Sequence, residues 1–365
     1  MKTHPGNLRI LVRGANWLGD AVMTTPALLR LREQFPGARI TLFGPEKLRE
    51  LWPHHPAVDE VVSFAPGEGV FRAAKKLRAG RHDLALVFPN SPRSALEVFL
   101  AGIPRRIGQA RPWRNILLTE TVAPRAGAVR MHKRSAAEIA RLVAAPPAPA
   151  APPPALAHQI HEYLHLVAAL GARLEPCAPL LASAPEEQVM VRQKFGLPAV
   201  AAPVFGLNPG AEYGPAKRWP VANFLAAAQA VQQRTQCVWL LFGGPRDAPL
   251  TAQIQSALGP AALNLAGKTS LRELMALLKL CRVLLTNDTG PMHVAAALGT
   301  PVVVPFGSTS PGLTGPGLPG DPRHRLLKSA AACAPCFRRE CPIDFRCLQG
   351  ITVDQVVTAL IGAQS

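Results

Sequence analysis

Short apolar runs alternate with segments of helical periodicity along the first half of the chain. Runs rich in branched residues predict strands at Leu8–Val12, Arg39–Phe43, Glu60–Phe64 and Asp83–Phe88. Apolar residues recur with helical spacing at Ala21–Gln34, where Pro26 predicts a kink or a first turn, and at Phe71–Arg78, Ser94–Ala101 and His158–Leu170. Strands that alternate with helices in this way predict a parallel, doubly wound sheet.

The second half of the chain repeats this alternation. Strands are predicted at Pro203–Leu207, Cys237–Phe242, Cys281–Leu285 and Pro301–Val304. Helices are predicted at Val221–Gln232, Ala248–Leu258, Val294–Leu298 and Thr352–Ile361, with one more opened by the capping box at Ser270 and ending at Leu280. The interpretation is an α/β protein with two similar domains, residues 1–175 and 176–350, facing each other across a cleft, followed by a C-terminal helix in 351–365. An Ala/Pro tract at about 145–157 predicts a semi-rigid insertion.

Composition adds a charge imbalance to this picture. The 365 residues are 48% apolar and 17% charged, which is typical of a globular protein, yet 40 basic residues face only 23 acidic ones, a net charge of +17. Such a charge favours a polyanionic partner: nucleic acid, an acidic membrane face or a phosphorylated substrate. Residues 104–134 look like a basic loop. No secretory signal or spanning segment of about 18 apolar residues is visible, so a cytoplasmic protein is predicted.

The segment Thr286–His293 is the first candidate for chemistry. It joins a predicted buried strand to a predicted helix, which makes it a strand-to-helix turn of a β-α-β unit. Either Asp288 or Thr289 can cap that helix, and Gly290 allows a ligand to approach the backbone closely. The free N–H groups of a helix N-terminus favour an anion such as phosphate. His293, in the first helical turn, is a further candidate for ligand contact.

Two other loops leave predicted strands of the second domain at the same edge. Lys217 and Arg218 follow the first strand of this domain and form a plausible diphosphate clamp, although a solvated basic loop is an equally good interpretation. The next strand is followed by a glycine pair, and Gly244 there allows close backbone approach. No G-x-G-x-x-G pattern follows the first strand of the chain, which disfavours a nicotinamide enzyme.

In the first domain, Arg13–Asp20 and Pro89–Arg93 follow strands and are expected at one edge of the sheet. Asp20 is the only acid of its loop. Its carboxylate could act as a general base towards a hydroxyl, or it could cap the following helix. The molecule that carries this hydroxyl could be bound by the side chains of Arg13, Asn16, Arg93 and Arg106.

Four of the seven cysteines are close in sequence: Cys333, Cys336, Cys341 and Cys347. Four thiolates could hold a structural zinc ion, but the spacing lacks two separated Cys-x2-Cys knuckles. Reduced thiols or a redox-labile disulfide fit equally well, and no catalytic metal is expected.

Together these motifs resemble glycosyltransferase family 9, the bacterial lipopolysaccharide heptosyltransferases, and within it the group that adds the second heptose. The resemblance is carried by Arg13–Leu28, Pro209–Pro220, Thr286–Ala297, Phe306–Pro311 and Cys333–Cys347. It covers nearly the whole chain except residues 124–157.

This resemblance implies a GT-B fold, built from two Rossmann-like domains, the first binding the acceptor and the second the nucleotide sugar. It implies transfer of L-glycero-D-manno-heptose from ADP-heptose to the first heptose of the inner core on Kdo2-lipid A, with inversion. Asp20 matches the catalytic base and Lys217 a donor-phosphate contact. Asp288, Thr289, Gly290 and His293 match the donor-binding turn. Enzymes of this fold usually need no metal or other cofactor.

Several alternatives stay open. The chain could be heptosyltransferase I, an enzyme that adds a later heptose, or another nucleotide-sugar transferase of the family, because sequence patterns do not settle acceptor choice. It could also be a basic nucleic-acid-binding protein without catalysis, although no recognition motif is visible and only 5% of residues are aromatic. The surplus of basic charge also predicts peripheral contact with the anionic face of the inner membrane.

Overall fold

The structure, a computed structural model, describes residues 8–145, 153–154, 156–197 and 202–363. The chain divides into two compact units, Met1–Ala128 with Leu156–Ala182, and Val129–Ala155 with Ser183–Ser365. This division differs from the predicted boundary at residue 175, because residues 129–155 cluster with the second unit. There Ile139 packs against Cys333 and Cys336 in one apolar cluster. Most of the predicted insertion at 145–157 lies outside the described residues.

The first unit is built on a six-stranded parallel sheet. Its strands are β1 (Arg9–Arg13), β2 (Arg39–Pro45), β3 (Glu60–Phe64), β4 (Leu84–Val87), β5 (Arg105–Gln109) and β6 (Glu120–Val122). Its helices are α1 (Leu18–Met23), α2 (Thr25–Gln34), α3 (Val70–Ala79), α4 (Pro92–Leu100) and α6 (Ile160–Ala168). The strand order is β3-β2-β1-β4-β5-β6. The central strands are buried on both faces, which explains their continuous apolar sequences.

The second unit repeats the architecture with strands β7 (Val204–Asn208), β8 (Val238–Leu241), β9 (Ala262–Asn264), β10 (Leu284–Thr286), β11 (Val302–Phe306) and β12 (Arg325–Lys328). Its helices are α5 (Ala136–Ala144), α7 (Pro185–Lys194), α8 (Val221–Thr235), α9 (Ala248–Leu258), α10 (Leu271–Leu280), α11 (Gly290–Ala297), α12 (Pro311–Thr314), α13 (Arg346–Gln349) and α14 (Val353–Gly362). The sheet is again parallel and six-stranded, in the order β12-β11-β10-β7-β8-β9. Helix α14 belongs to this unit, where Val356 and Leu360 share one apolar core with Trp219 and Trp239.

The predicted helix 21–34 is divided into two. Helix α1 ends where the Thr24 hydroxyl donates to the Ala21 carbonyl oxygen over 2.6 Å. Pro26 then lies in the first turn of α2, where its missing N–H costs no hydrogen bond. The predicted capping box of α10 is confirmed by both hydrogen bonds between Ser270 and Glu273.

The prediction that residues 104–134 form a loop is wrong for two segments, because β5 and β6 lie within that range. Strand β5 begins with two arginines, and β6 has two exposed residues and a half-buried third at the sheet edge. Neither segment shows the alternation or the apolar run that identifies a strand in a sequence. They form strands because β5 pairs with β4, and β6 with β5, through backbone hydrogen bonds. Within the described ranges, the chain contains no helix with the length and apolar character needed to cross a membrane.

Candidate functional site

Each sheet has one topological switch point, where two neighbouring strands are not consecutive in sequence and the chain continues from them toward opposite edges of the sheet. For the second unit this point lies between β7 and β10, the neighbouring strands from which the chain winds outward in opposite directions. Ligands of doubly wound sheets bind in the crevice beyond the carboxyl ends of strands at such a point. Asn208 ends β7 and Thr286 ends β10, and the Asn208 amide donates to the Thr286 hydroxyl over 3.0 Å. This edge is therefore the candidate nucleotide site of the second unit.

Three loops meet there at the side chain of Asp288. The Lys217 ammonium, from the loop after β7, donates to Asp288 Oδ2 over 2.7 Å. The hydroxyl of Thr309, from the loop after β11, donates to the same oxygen over 2.5 Å. Asp288 itself is 4% exposed. A buried carboxylate that accepts both bonds holds the lysine in one position beside the N-terminus of α11.

A second set of bonds braces the same loops. The Asn287 amide donates to the Pro209 carbonyl oxygen over 2.7 Å, and Asn287 Oδ1 accepts from the Trp219 backbone N–H over 2.9 Å. Lys217 also lies 5.0 Å from the ring centre of Tyr213, a cation–π distance. Gly214 has a φ of 150°, and a Cβ there would come within 2.5 Å of the Arg339 carbonyl oxygen. The loop therefore requires glycine at this position.

The other predicted donor-binding residues surround this cluster unevenly. Thr289 is the N-cap residue of α11 but makes no side-chain capping bond, and Gly290 begins the helix. His293 is buried in the first turns of α11. Arg218 donates to the Ala211 carbonyl oxygen of its own loop over 3.1 Å, so its guanidinium is partly engaged. Gly244 follows β8, and its N–H is taken by the Asp247 carboxylate over 3.0 Å, which leaves that N–H unavailable to a ligand in this conformation.

In the first unit the corresponding switch point lies between β1 and β4. Asp20 stands in the first turn of α1, with Trp17 at the N-cap, so the alternative that Asp20 is the N-cap is wrong. Its Oδ1 lies 3.4 Å from the amide nitrogen of Gln159, which also donates to the Tyr163 hydroxyl over 3.0 Å. Burial, and secondly the Asp20 charge, raise the pKa of Tyr163 well above its usual value. Asp20 is half-buried, so its carboxylate is partly accessible to solvent.

Arg13 is buried inside the first unit, whereas a residue that binds the acceptor should be accessible. It is 2% exposed, and its Nε donates to Glu97 Oε2 over 2.8 Å. Its Nη1 donates to the Oδ1 of Asn16 over 2.9 Å. Arg13 therefore orients the exposed Asn16 rather than presenting its own charge to a ligand.

Arg93 and Arg106 are separated within the unit. Arg93 remains 47% exposed while its Nε donates to Glu97 Oε1 over 3.0 Å, so it can meet an anionic ligand at the carboxyl edge of the sheet. Arg106 is the second residue of β5 and donates to the Ile103 and Leu117 carbonyl oxygens. Because the strands are parallel, the beginning of β5 lies at the opposite edge from the other candidates. The structure does not bring Arg106 together with them.

The four clustered cysteines line one small cavity of the second unit, beside Ile139 and Ser308. All seven cysteines are free thiols, and no three histidine, cysteine or acidic side chains of the described chain are arranged to hold a metal ion. Burial first, and the neighbouring thiols second, raise the pKa of Cys347 to about 12. The structure thus places four thiols around one cavity, and the zinc and disulfide interpretations stay predictions.

Sequence analysis missed several residues that position the predicted site residues through hydrogen bonds. Thr309, Asn287, Gln159 and Glu97 each bond to a predicted site residue or its loop. Thr309 and Asn287 lay inside motifs already singled out, so their polarity was the available signal. Glu97 lies in the middle of an apolar helix, and only the fold shows that it meets Arg13.

Comparison with known proteins adds to this geometry. Residues 70–345 match glycosyltransferase family 9 (heptosyltransferase). The chain is 33% identical to lipopolysaccharide heptosyltransferase 2 of Escherichia coli K12 over 327 residues, 85% of each chain. It is 31% identical to lipooligosaccharide heptosyltransferase 2 of Haemophilus influenzae over 321 residues, 85% of this chain and 86% of the relative. The structure of E. coli ADP-heptose lipopolysaccharide heptosyltransferase II superposes with a TM-score of 0.78 at 28% identity and covers 98% of each chain.

The two doubly wound units have the GT-B fold, and the family match makes the chain a glycosyltransferase of that class. Within that class the chain belongs to glycosyltransferase family 9. The family resemblance and the fold predicted from the motifs are confirmed.

Proposed function

We propose that this enzyme transfers L-glycero-D-manno-heptose from ADP-heptose onto the first heptose of the lipopolysaccharide inner core, with inversion. Support for the reaction comes from the relatives named heptosyltransferase 2, which match over most of the chain. The single structural observation that carries the proposal is the Lys217–Asp288–Thr309 cluster at the switch point of the second unit.

The donor is assigned to the second unit because of the charge at its carboxyl edge. Lys217 is held beside the N-terminus of α11, where the free N–H groups and the helix dipole favour a diphosphate. Asp288 already neutralises part of the lysine charge, so its role is to hold Lys217 and Thr309 in place. Thr289, Gly290 and His293 complete the donor-binding turn in this proposal, with Arg218 as a second cation.

The acceptor is assigned to the first unit. Asp20 would take the proton of the acceptor hydroxyl while that oxygen forms a bond to the anomeric carbon of the heptose. The bond from this carbon to the diphosphate breaks at the same time, and ADP leaves with the electron pair. Attack from the face opposite the leaving group accounts for the inversion.

Stabilisation of the departing ADP is supplied by the protein itself. Negative charge develops on the diphosphate, and Lys217 and the N–H groups of α11 are in place before the reaction. The reaction as proposed needs no further cofactor. Asn16 and Arg93 are the acceptor contacts on the first unit, Asn16 being held by Arg13 and Arg93 by Glu97.

The enzyme would act in the cytoplasm, at the inner face of the inner membrane, where a lipid-linked acceptor is accessible. The net charge of +17 suits an acceptor that carries carboxylates and phosphates and a surface made of anionic lipid.

A direct test uses the purified protein, ADP-heptose and truncated core acceptors that carry zero, one or two heptoses, with products measured by mass. We expect one heptose to be added to the acceptor that carries one. Addition only to the heptose-free acceptor would assign the chain to the first-heptose reaction instead, and addition only to the acceptor with two heptoses to a later step. Transfer from another nucleotide sugar but not from ADP-heptose would refute the donor assignment.

A further inference from the structure

A short turn of the first unit exposes two large apolar side chains. Trp113 is 88% exposed and Ile116 is 86% exposed, more than any other large apolar residue among the described ones. They lie three positions apart in residues 111–117, which follow β5 and are here called the exposed turn. Single exposed apolar residues are ordinary on protein surfaces, but two residues this exposed within one short turn require an explanation.

The exposed turn is held in place from inside. Arg114, between the two apolar residues, is fully buried and donates to the Pro89 carbonyl oxygen over 2.7 Å. Asn115 Oδ1 accepts from the Arg111 backbone N–H over 2.8 Å. The same backbone places Trp113 at a φ of 66°, a left-handed conformation that is unfavourable for a bulky residue. The bonds of its neighbours thus fix a conformation in which Trp113 points into solvent.

Positive charge and a third apolar side chain lie beside the turn. Arg106 donates to the Leu117 carbonyl oxygen over 2.9 Å and stacks 5.3 Å from the ring centre of Phe99, which is 43% exposed. Residues 104–128, the part of the predicted basic loop that lies in the first unit, contain five basic residues and one acid. The surface therefore joins exposed apolar groups with cationic ones.

We infer that the exposed turn docks the enzyme on an anionic lipid bilayer, with Trp113 and Ile116 inserted at the level of the headgroups. Tryptophan favours this interface because its ring is amphipathic, and basic residues are attracted to anionic headgroups. An aromatic platform for a sugar ring would not explain the aliphatic Ile116, whereas a bilayer accepts both. The inference deepens the proposed function, on which it rests for its biological context, since a lipid-linked acceptor lies in such a surface.

The test measures co-sedimentation of the full chain with phosphatidylcholine vesicles, with and without phosphatidylglycerol. The variant carries Trp113→Asn and Ile116→Ser, because asparagine tolerates the left-handed backbone at position 113. We expect the unaltered chain to bind the anionic vesicles, more weakly at high salt, and the variant to bind about tenfold less or weaker still. The matched control is Val189→Ser with Met190→Ser, an exposed apolar pair on α7 of the second unit, which should bind as the unaltered chain does.

Tryptophan fluorescence supplies a second readout. Of the five tryptophans only Trp113 and Trp17 are substantially exposed, so in a Trp17→Phe background the change on binding reports Trp113. A blue shift with anionic vesicles, and quenching by brominated lipid, are expected. The inference would be overturned if the unaltered chain did not bind vesicles or if the variant bound them equally well. It would also be overturned if vesicles left the emission spectrum of Trp113 unchanged. Loss of a dimer in the variant, without loss of vesicle binding, would also overturn it and assign the surface to a second copy of the chain.

The vesicle assay uses neither ADP-heptose nor acceptor, so its outcome is separate from that of the transfer assay. With a delipidated, water-soluble core acceptor, the variant should transfer heptose as fast as the unaltered chain. If neither protein transfers heptose while only the unaltered chain binds vesicles, the proposed function fails and the docking surface stands.

Discussion

The two sheets have the same strand order, but their carboxyl edges carry different electrostatics. In the second unit Lys217 is paired with Asp288 and remains 15% exposed, at the mouth of its site. In the first unit Arg13 is paired with Glu97 and both side chains are almost fully buried. One cation is thus placed to meet a ligand, whereas the other supports the loop that carries Asn16.

This difference shows that topology and ligand chemistry are set separately. The reversal of strand order places both candidate sites at the carboxyl edge. In the proposed function, the side chains of the following loops then decide whether that edge neutralises a diphosphate or presents a base and hydrogen-bonding groups. Substitutions at matched positions of the two units can therefore separate donor, acceptor and folding effects.

The largest expected effect is on catalysis in the first unit. Asp20→Ala should lower kcat by roughly 10²- to 10⁴-fold, because a positioned general base contributes about that much. ADP affinity, measured by calorimetry, should stay unchanged, since the proposed donor contacts belong to the second unit. The control Glu46→Gln alters an exposed acid of the first unit and should leave kcat unchanged. Undiminished turnover of Asp20→Ala would refute the assignment of this residue as the base.

The buried ion pair of the first unit should dominate stability. Glu97→Ala leaves the Arg13 guanidinium buried without its partner, which typically costs about 3–5 kcal/mol of the free energy of unfolding. Asp288→Ala should cost less, because the freed Lys217 is more accessible to water. Denaturant unfolding of both variants measures the difference, and the double change Arg13→Met with Glu97→Leu should restore part of the loss. Equal costs in the two units would contradict the comparison.

Donor binding should depend on the cation of the second unit. Lys217→Met should weaken ADP-heptose binding by about 10- to 100-fold, in keeping with about 1.5–3 kcal/mol for a hydrogen bond to a charged group. Arg93→Gln is the counterpart in the first unit and should raise the KM for the acceptor only. Titration of each variant with donor and acceptor separates the two. A donor affinity that Lys217→Met leaves intact would remove the diphosphate clamp from the mechanism.

The smallest expected effect concerns one glycine in each unit. Gly214→Ala should cost about 1–3 kcal/mol of the free energy of unfolding, because its backbone conformation is strained for other residues and a Cβ meets the Arg339 carbonyl oxygen. It should also weaken donor binding, since the loop carries Lys217. Gly44→Ala, in the first unit, has free space for a Cβ and an ordinary φ, and it should be neutral in thermal unfolding. Similar melting temperatures for both variants would contradict the claim that the loop requires glycine at position 214.

Local patterns in the sequence were sufficient for most of the framework. The apolar runs of β1, β3, β7 and β11 and the helical spacing of α9 are visible along the chain, because buried strands and amphipathic helices impose them. The turn at Asp288 and the loop with Lys217 were also found from the sequence, since a strand-to-helix connection and its polar residues are close neighbours. The family resemblance rested on the same local motifs.

Only the tertiary structure decided which of those residues meet. Lys217, Asp288 and Thr309 are far apart in sequence, and parallel pairing brings their loops to one sheet edge. Burial of Arg13 against Glu97 and the position of Arg106 at the opposite edge follow from helix packing and strand direction, neither of which leaves a local pattern. Strands β5 and β6 form because neighbours supply their hydrogen bonds. Contacts between distant residues depend on the whole fold, and so composition and periodicity do not reveal them.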